Sequence, residues 1–179
     1  MLCLETQEGQ RKGAVEQMYG VLRLLILMIG VMVLTAPDGA DAQTRDTPYW
    51  ASISAGQARM RTGPGRNFPI SWLYQRAGLP VRVVEVYENW RKIEDPDGTQ
   101  GWMLVNLLNA DRTAMIVDDI RPMREAPQVG ARIRYRAEPG VVGRIRTCRR
   151  GWCEIDVRGR SGFIEVAHLY GVEEDERID

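Results

Sequence analysis

The second half of this chain repeats the first at an offset of about 62 residues, and that echo limits the fold more than any other feature. Met60-Arg61-Thr62-Gly63-Pro64 returns as Met123-Arg124-Glu125-Ala126-Pro127, and Glu88-Asn89-Trp90-Arg91-Lys92-Ile93 returns as Arg150-Gly151-Trp152-Cys153-Glu154-Ile155. Gly101-Trp102-Met103 returns as Gly162-Phe163-Ile164, and Leu108 falls opposite Leu169. The offset drifts only from 63 to 61, a drift that changes of hairpin length would produce. A length of 179 residues allows one or two domains, and the repeat selects two small ones. A duplicated small unit suits binding or spacing better than catalysis.

The local signals are those of strands. In Pro80 to Tyr87, Val81, Val83 and Glu85 are expected on one face and Arg82, Val84 and Val86 on the other. Valines on both faces predict a central, largely buried strand. Glu88-Asn89 turns the chain into Trp90 to Glu94, and Asp95-Pro96-Asp97-Gly98 reads as a tight hairpin turn. Gly101 to Val105 is a further strand, closed by a short 3₁₀-like turn over Asn106-Leu107-Leu108. After a linker at 109–112, Thr113 to Val117 opens the second copy. Arg121 to Arg124, Val142 to Cys148, Trp152 to Val157 and Gly162 to Val166 follow as its later strands. Evenly spaced short strands with Gly/Pro turns indicate an all-β barrel or sandwich. The copies are placed at 49–108 and 113–172, after a flexible lead-in at 43–48 and before a charged tail at 173–179 expected to be disordered.

The N-terminal 42 residues read as a secretory signal. Arg23 supplies a positive n-region, Leu24 to Leu34 is an apolar run interrupted only by Gly30, and Ala40-Asp41-Ala42 offers a cleavage site before Gln43. An uncleaved anchor is the rival reading, but 11 apolar residues fall short of the roughly 20 that span hydrocarbon. Membrane contact is therefore expected only through an uncleaved signal, if at all. Residues 1 to 17 are polar, which makes Met18 an alternative start.

Removing 1–42 leaves 21 basic and 19 acidic residues, a small net charge that hides an asymmetry. Arg121 to Arg160 holds eleven Arg and four acids, whereas Ser161 to Asp179 holds six acids and one Arg. Such a stripe could bind an anionic polymer, or the acidic tail could screen it internally. Cys148 and Cys153 are the pair left after export, and an even count in an exported chain favours a disulfide. Closing so short a loop contributes roughly 2 kcal/mol on the chain-entropy model. Metal binding is the alternative, and it is weakened because His168 is the single histidine available as a nitrogen ligand. No metal and no cofactor are expected.

Ala58-Arg59-Met60-Arg61-Thr62-Gly63-Pro64-Gly65 resembles the N-V-R-x-G-P signature of bacterial SH3-like domains. Val81-Arg82-Val83, Asn89-Trp90 with Ile93, and Gly101-Trp102 are similar to that family's later strands. The second copy resembles it through Arg121-Pro122-Met123-Arg124, Gly143-Arg144-Ile145, Cys148 to Ile155 and Gly162-Phe163. Its Cys-x-x-Gly-Trp-Cys stretch is similar to the second module of small exported bacterial tandem proteins. The resemblance covers about 49 to 172 and implies two tandem SH3-like β-barrels. Where the family has Gly-Pro the second copy has Ala126-Pro127, so its loop is expected to take a different turn.

Trp90 and Trp152, just past equivalent turns, are the leading candidates for a binding platform, each weighed against a core role. Trp102 and Phe163 are expected in the core; Tyr87 joins the ligand candidates, and Tyr74, Tyr135 and Tyr170 are weaker rim positions. Arg132, Arg134 and Arg136 alternate, which on a strand puts them on one face, and Arg149-Arg150 crown the cysteine hairpin. Guanidinium groups suit carboxylate and phosphate, against the plainer reading of a solvated strand face. Arg61 and Arg124 are expected to pin a loop through backbone carbonyls. No catalytic residues are assigned: His168 falls in a closing turn opposite Leu107, and the cysteines pair with each other. Related modules often precede a cell-wall peptidase domain, which is not expected here. The resemblance implies an exported, non-enzymatic binding module of the periplasm or cell envelope, recognising peptidoglycan or a peptide and not nucleic acid. A periplasmic protein–protein adaptor, or a regulator of a cell-wall hydrolase acting in trans, are the alternatives.

Overall fold

The computed structural model describes residues 45–179. The segment read as a secretory signal, its expected Ala42–Gln43 junction and the first residues of the lead-in lie outside the described residues. The first copy is built from β1 (Tyr49–Ile53), β2 (Ala58–Arg61), β3 (Ile70–Tyr74), β4 (Pro80–Tyr87), β5 (Trp90–Glu94), β6 (Gln100–Leu104), a 3₁₀ turn over Val105–Leu107, and β7 (Leu108–Asn109). The second is built from β8 (Thr113–Ile116), β9 (Arg121–Arg124), β10 (Ile133–Ala137), β11 (Val142–Arg149), β12 (Trp152–Val157), β13 (Arg160–Glu165), a 3₁₀ turn over Val166–His168, and β14 (Leu169–Tyr170). Each forms a seven-stranded antiparallel sheet, in the order β3-β2-β6-β5-β4-β1-β7 and β10-β9-β13-β12-β11-β8-β14. The two orders are identical once seven is added to each strand number. The chain is all-β, as its sequence indicated, with two tandem modules of one topology.

Each module has its own core, set by period-two alternation. Met60, Val81, Val83, Ile93 and Met103 are fully buried in the first, and Met123, Ile145, Ile155 and Ile164 fill the second. The expected faces of β4 hold only to Val83. A bulge between Val83 and Glu85 inserts Val84 as an extra residue, so Glu85 turns outward and Val86 packs back on the core. The second copy has the same bulge between Ile145 and Thr147. Alternation also corrects Trp102 and Phe163, which are half-buried rather than core. Their neighbours Gly101 and Met103, and Gly162 and Ile164, take the inward positions.

The turns follow the residues that make them. Arg150 and Gly151 both have positive φ (51° and 77°), as a two-residue hairpin of primed type requires, and Cys148 pairs with Cys153 beside it as a disulfide. Asp95 closes the β5–β6 hairpin by accepting from the backbone N–H of Asp97 and Thr99 at 3.1 and 2.9 Å and from the buried Tyr74 hydroxyl at 2.9 Å. Burial, with Asp95 adding to it, pushes the Tyr74 phenol well above its ordinary range.

The loop after Ala126 takes the same turn as its counterpart, against expectation. Gly65 N–H donates to Gly63 O (2.9 Å) and Phe68 N–H to Gly65 O (3.3 Å). In the second copy Gln128 N–H donates to Ala126 O (2.8 Å) and Ala131 N–H to Gln128 O (3.1 Å). The reason is a compensating change. A Cβ on Gly63 would sit 2.4 Å from the Phe68 ring, and the residue equivalent to Phe68 is Ala131.

The copies meet through a polar and aromatic seam. Trp50 and Tyr170 pack edge to face with centroids 4.9 Å apart, and the Tyr170 hydroxyl donates to Glu94 O at 2.9 Å. Gly171, at φ 111°, lets the backbone pass so close that a Cβ there would lie 2.4 Å from Thr113 O and 2.9 Å from Pro80 Cβ. The tail, expected to be disordered, is instead tied down. Ile178 and Cys148 exchange both backbone hydrogen bonds (2.8 and 3.1 Å), and Val172 is buried in the second core. Glu176 pairs with half-buried Arg112, and Glu173 accepts from the Trp50 indole at 3.0 Å. Charge matching against arginines supplies what the tail lacks in apolar content.

Candidate binding grooves

Two grooves occupy the same place in the two modules. The first, of about 250 Å³, is lined by Gln57, Arg59, Arg61, Arg66, Leu73, Trp90, Leu104 and Leu107. The second, of about 190 Å³, is lined by Arg121, Pro122, Arg124, Val129, Trp152, Ile164, Glu165 and His168. Six positions correspond through the repeat: Arg59 with Pro122, Arg61 with Arg124, Arg66 with Val129, Trp90 with Trp152, Leu104 with Glu165, and Leu107 with His168.

The backbone explains why each residue is there. The tryptophan is the first residue after the hairpin tip, and the 3₁₀ turn is tied to that tip by Val105 N–H donating to Asn89 O in one copy and Val166 N–H to Gly151 O in the other, both at 2.9 Å. This brings the end of the 3₁₀ turn, Leu107 or His168, to the indole. From the opposite wall Arg61 donates through Nη1 to Phe68 O (2.6 Å) and Arg124 to Ala131 O (2.9 Å). These are the carbonyl contacts expected of the two arginines, and they leave further N–H donors on each planar fork. Trp90 is only 7% exposed, so it forms a floor rather than a free platform; Trp152 is half-buried.

The grooves differ in charge. Arg59 and Arg66 take part in no ion pair among the described residues, and no carboxylate lines the first groove. In the second, Glu165 and His168 replace two leucines, with His168 Nε2 lying 3.4 Å from Glu165 Oε2. The first groove thus suits an anionic or apolar ligand and the second a more amphoteric one. Among the described residues no group of three His, Cys, Asp or Glu could hold a metal ion, and no helix is long and apolar enough to cross a membrane.

The remaining candidate residues scatter. Tyr87 is exposed and lies edge-on to Trp102 at 6.4 Å, outside both grooves. Tyr74 is core and Tyr170 belongs to the seam, so neither is a rim residue; burial, then Glu94 and Asp95, push the Tyr170 phenol up. Arg132, Arg134 and Arg136 do not share a face as the alternation implied. Arg132 precedes β10 and pairs with Glu125 at 2.8 Å, while a bulge between Ile133 and Tyr135 takes Arg134 out of register. Arg132 holds the Glu125 carboxyl below its ordinary range. Arg149 is paired with Asp179, and Arg150 lies with it beside a wider hollow that also includes Pro127, Trp152 and the tail residues Asp175 to Arg177.

Sequence reasoning missed Arg59, Arg66 and Trp72. Trp72 is 58% exposed on edge strand β3, and its counterpart Tyr135 is exposed on β10. The available signal was an aromatic at the same repeat position on a strand whose neighbours do not alternate.

The profile of the bacterial SH3 domain family matches the sequence twice, at residues 54–108 and 117–171, which together exceed half of the chain. The chain belongs to the bacterial SH3 domain family. Each match runs from the end of the first strand through the 3₁₀ turn, so both grooves fall within it. Among solved structures the chain is similar to NlpC2 from Trichomonas vaginalis, at 13% identity over 69% of this chain and 48% of that one, with a TM-score of 0.33. It is similar also to NlpC1 from the same organism, at 12% identity over 72% and 47%, TM-score 0.33. The chain spans about half the length of these structures. No functionally curated protein matches it.

Proposed function

We propose that this protein is an exported, non-enzymatic binding module of the bacterial cell envelope that recognises peptidoglycan or a wall-derived peptide through the two matched grooves. The observation that carries the reading is the recurrence of one groove in both copies, floored by Trp90 or Trp152 and walled by Arg61 or Arg124. Membership of the bacterial SH3 family supports a binding role, and the Cys148–Cys153 disulfide fits an oxidising compartment. An indole floor beside guanidinium donors that have no carboxylate partner suits an extended peptide that presents apolar and carboxylate groups alternately. The adaptor alternative, docking an acidic partner on the arginine stripe, draws less support. Arg132, Arg144, Arg146 and Arg149 already face Glu125, Asp111, Asp156 and Asp179.

Co-sedimentation with purified peptidoglycan tests the proposal. The protein should pellet at low salt, and a variant with Arg59→Ser and Arg66→Ser should pellet less. Retention of the wild type in the supernatant at low salt would rule the proposal out. Loss of binding at moderate salt would assign the affinity to the arginines, and persistence to the aromatic floor.

A further inference from the structure

We propose a binding site separate from the two grooves, in the cleft between the copies, which takes the free carboxylate end of a peptide with a small aliphatic terminal residue. The cleft, of about 510 Å³, is lined by Arg76 from the first copy and by Val141, Val142, Val157, Arg158 and Arg160 from the second. A volume of this size suits a small ligand rather than a folded partner.

Its three guanidinium groups are positioned by contacts that leave their charge unneutralised. Arg76 donates through Nη1 to Gly140 O at 2.9 Å, which fixes a side chain of the first copy on the backbone of the second. The Arg160 guanidinium stands 5.9 Å from the centroid of the Tyr135 ring. Arg158 occupies the first position of the β12–β13 hairpin tip at φ 53°, followed by Gly159 at φ 84°. That pair of positive φ values is what a two-residue hairpin of primed type requires, and it sets Arg158 at the tip beside the cleft. No carboxylate lines the cleft, and none of the three arginines takes part in an ion pair among the described residues. Four arginines of the stripe, Arg132, Arg144, Arg146 and Arg149, face an acid of this chain, whereas Arg158 and Arg160 line the cleft with Arg76 and face none.

The floor decides the ligand class. Guanidinium forks match a carboxylate through paired donors. Half-buried Val141, Val142 and Val157 beneath them give an apolar surface that a bare inorganic anion would leave unused. A terminal carboxylate with a methyl or short branched side chain uses both. Because Arg76 comes from the other copy, the site exists only in the tandem arrangement.

The test is a calorimetric titration of the full chain with acetyl-trialanine as the free acid, with its C-terminal amide, and with inorganic phosphate. The free acid should bind, and the amide should bind at least about tenfold more weakly. Combining Arg158→Gly with Arg160→Ser should weaken the acid by about tenfold or more, while Lys92→Ser, at a residue that pairs with Glu85 on β4 and lines neither the cleft nor the grooves, leaves it unchanged. Arg158→Gly suits the turn's positive φ, and unchanged indole resonances would verify folding of the double variant. An amide that binds as tightly as the acid, no binding of the acid at millimolar concentration, or an unaffected double variant would overturn the site. Phosphate competing as well as the acid would overturn the carboxylate-and-aliphatic assignment.

Discussion

Replacing Gly63 with alanine tests whether the two loops are one turn kept by compensating residues. An added Cβ would lie 2.4 Å from Cδ1 and Cε1 of Phe68 and 2.7 Å from its Cγ. Ordinary carbon contacts are about 3.5–4.0 Å, so the ring must retreat by more than about 1 Å. Phe68 is 39% exposed, and it can retreat outward only by giving up the contact that covers the rest. Full burial of a Phe side chain is worth about 1.5–3 kcal/mol, so losing most of a partial burial costs roughly 1–2 kcal/mol. Against this, alanine stiffens the unfolded chain and contributes about 0.4–1 kcal/mol where the backbone tolerates it. Gly63→Ala should therefore destabilise by roughly 1 kcal/mol in the native background. In a Phe68→Ala background, which imitates Ala126 with Ala131, the same change should stabilise by about 0.4–1 kcal/mol. The assay is a double-mutant cycle by urea unfolding, with a coupling of about 1–2 kcal/mol expected. Effects of Gly63→Ala that agree within about 0.5 kcal/mol in the two backgrounds would refute the reasoning.

Other outcomes follow from the same contacts. Replacing both Cys148 and Cys153 by alanine should cost about 2 kcal/mol and raise hydrogen exchange at Ile178, whose amide donates to Cys148 O; unchanged exchange there would detach the tail from the hairpin. Arg112 holds the Glu176 carboxyl below its ordinary value of 4.5, so this group's stabilisation is present above that pH and is lost as pH falls through the depressed folded value. Glu176→Gln should flatten the acid limb of a stability–pH curve; an identical limb would deny the pairing any weight. Tyr74 and Tyr170 are both raised from 10.0 by burial, so the stability they supply is complete below that pH and declines as pH rises above it. Tyr74→Phe should shift alkaline unfolding upward, at a cost near neutral pH from the buried Asp95 losing one donor.

The repeat carried most of the fold in plain view. The central strands β4 to β6 and β11 to β13, the 3₁₀ closures that hold Leu107 and His168, and the cysteine hairpin all follow from residues that recur or pair locally. What escaped was set by single inserted residues and by distant partners. A bulge at Val84 reverses the pleat, and no local pattern announces one, because the extra residue is defined only by the facing strand. The tail's order depends on Arg82, Arg112 and Arg149, which lie far off in sequence. The grooves were half legible. Trp90 and Trp152 could be named from their position after the turn, whereas Arg59 and Arg66 come to the indole only through the β2–β3 edge. Arg144, Arg146 and Arg149 of the stripe looked free because their acids, Asp111, Asp156 and Asp179, are contributed by other elements.

The central claim, that the two matched grooves are the binding sites, is tested most directly by following the five tryptophan indole N–H resonances of the labelled protein during titration with soluble peptidoglycan fragments. The Trp90 and Trp152 signals should move together with ligand concentration while Trp50, which donates to Glu173 in the seam, and Trp102 stay in place. Shifts confined to Trp50, Trp72 or Trp102, with Trp90 and Trp152 unmoved at saturation, would contradict it.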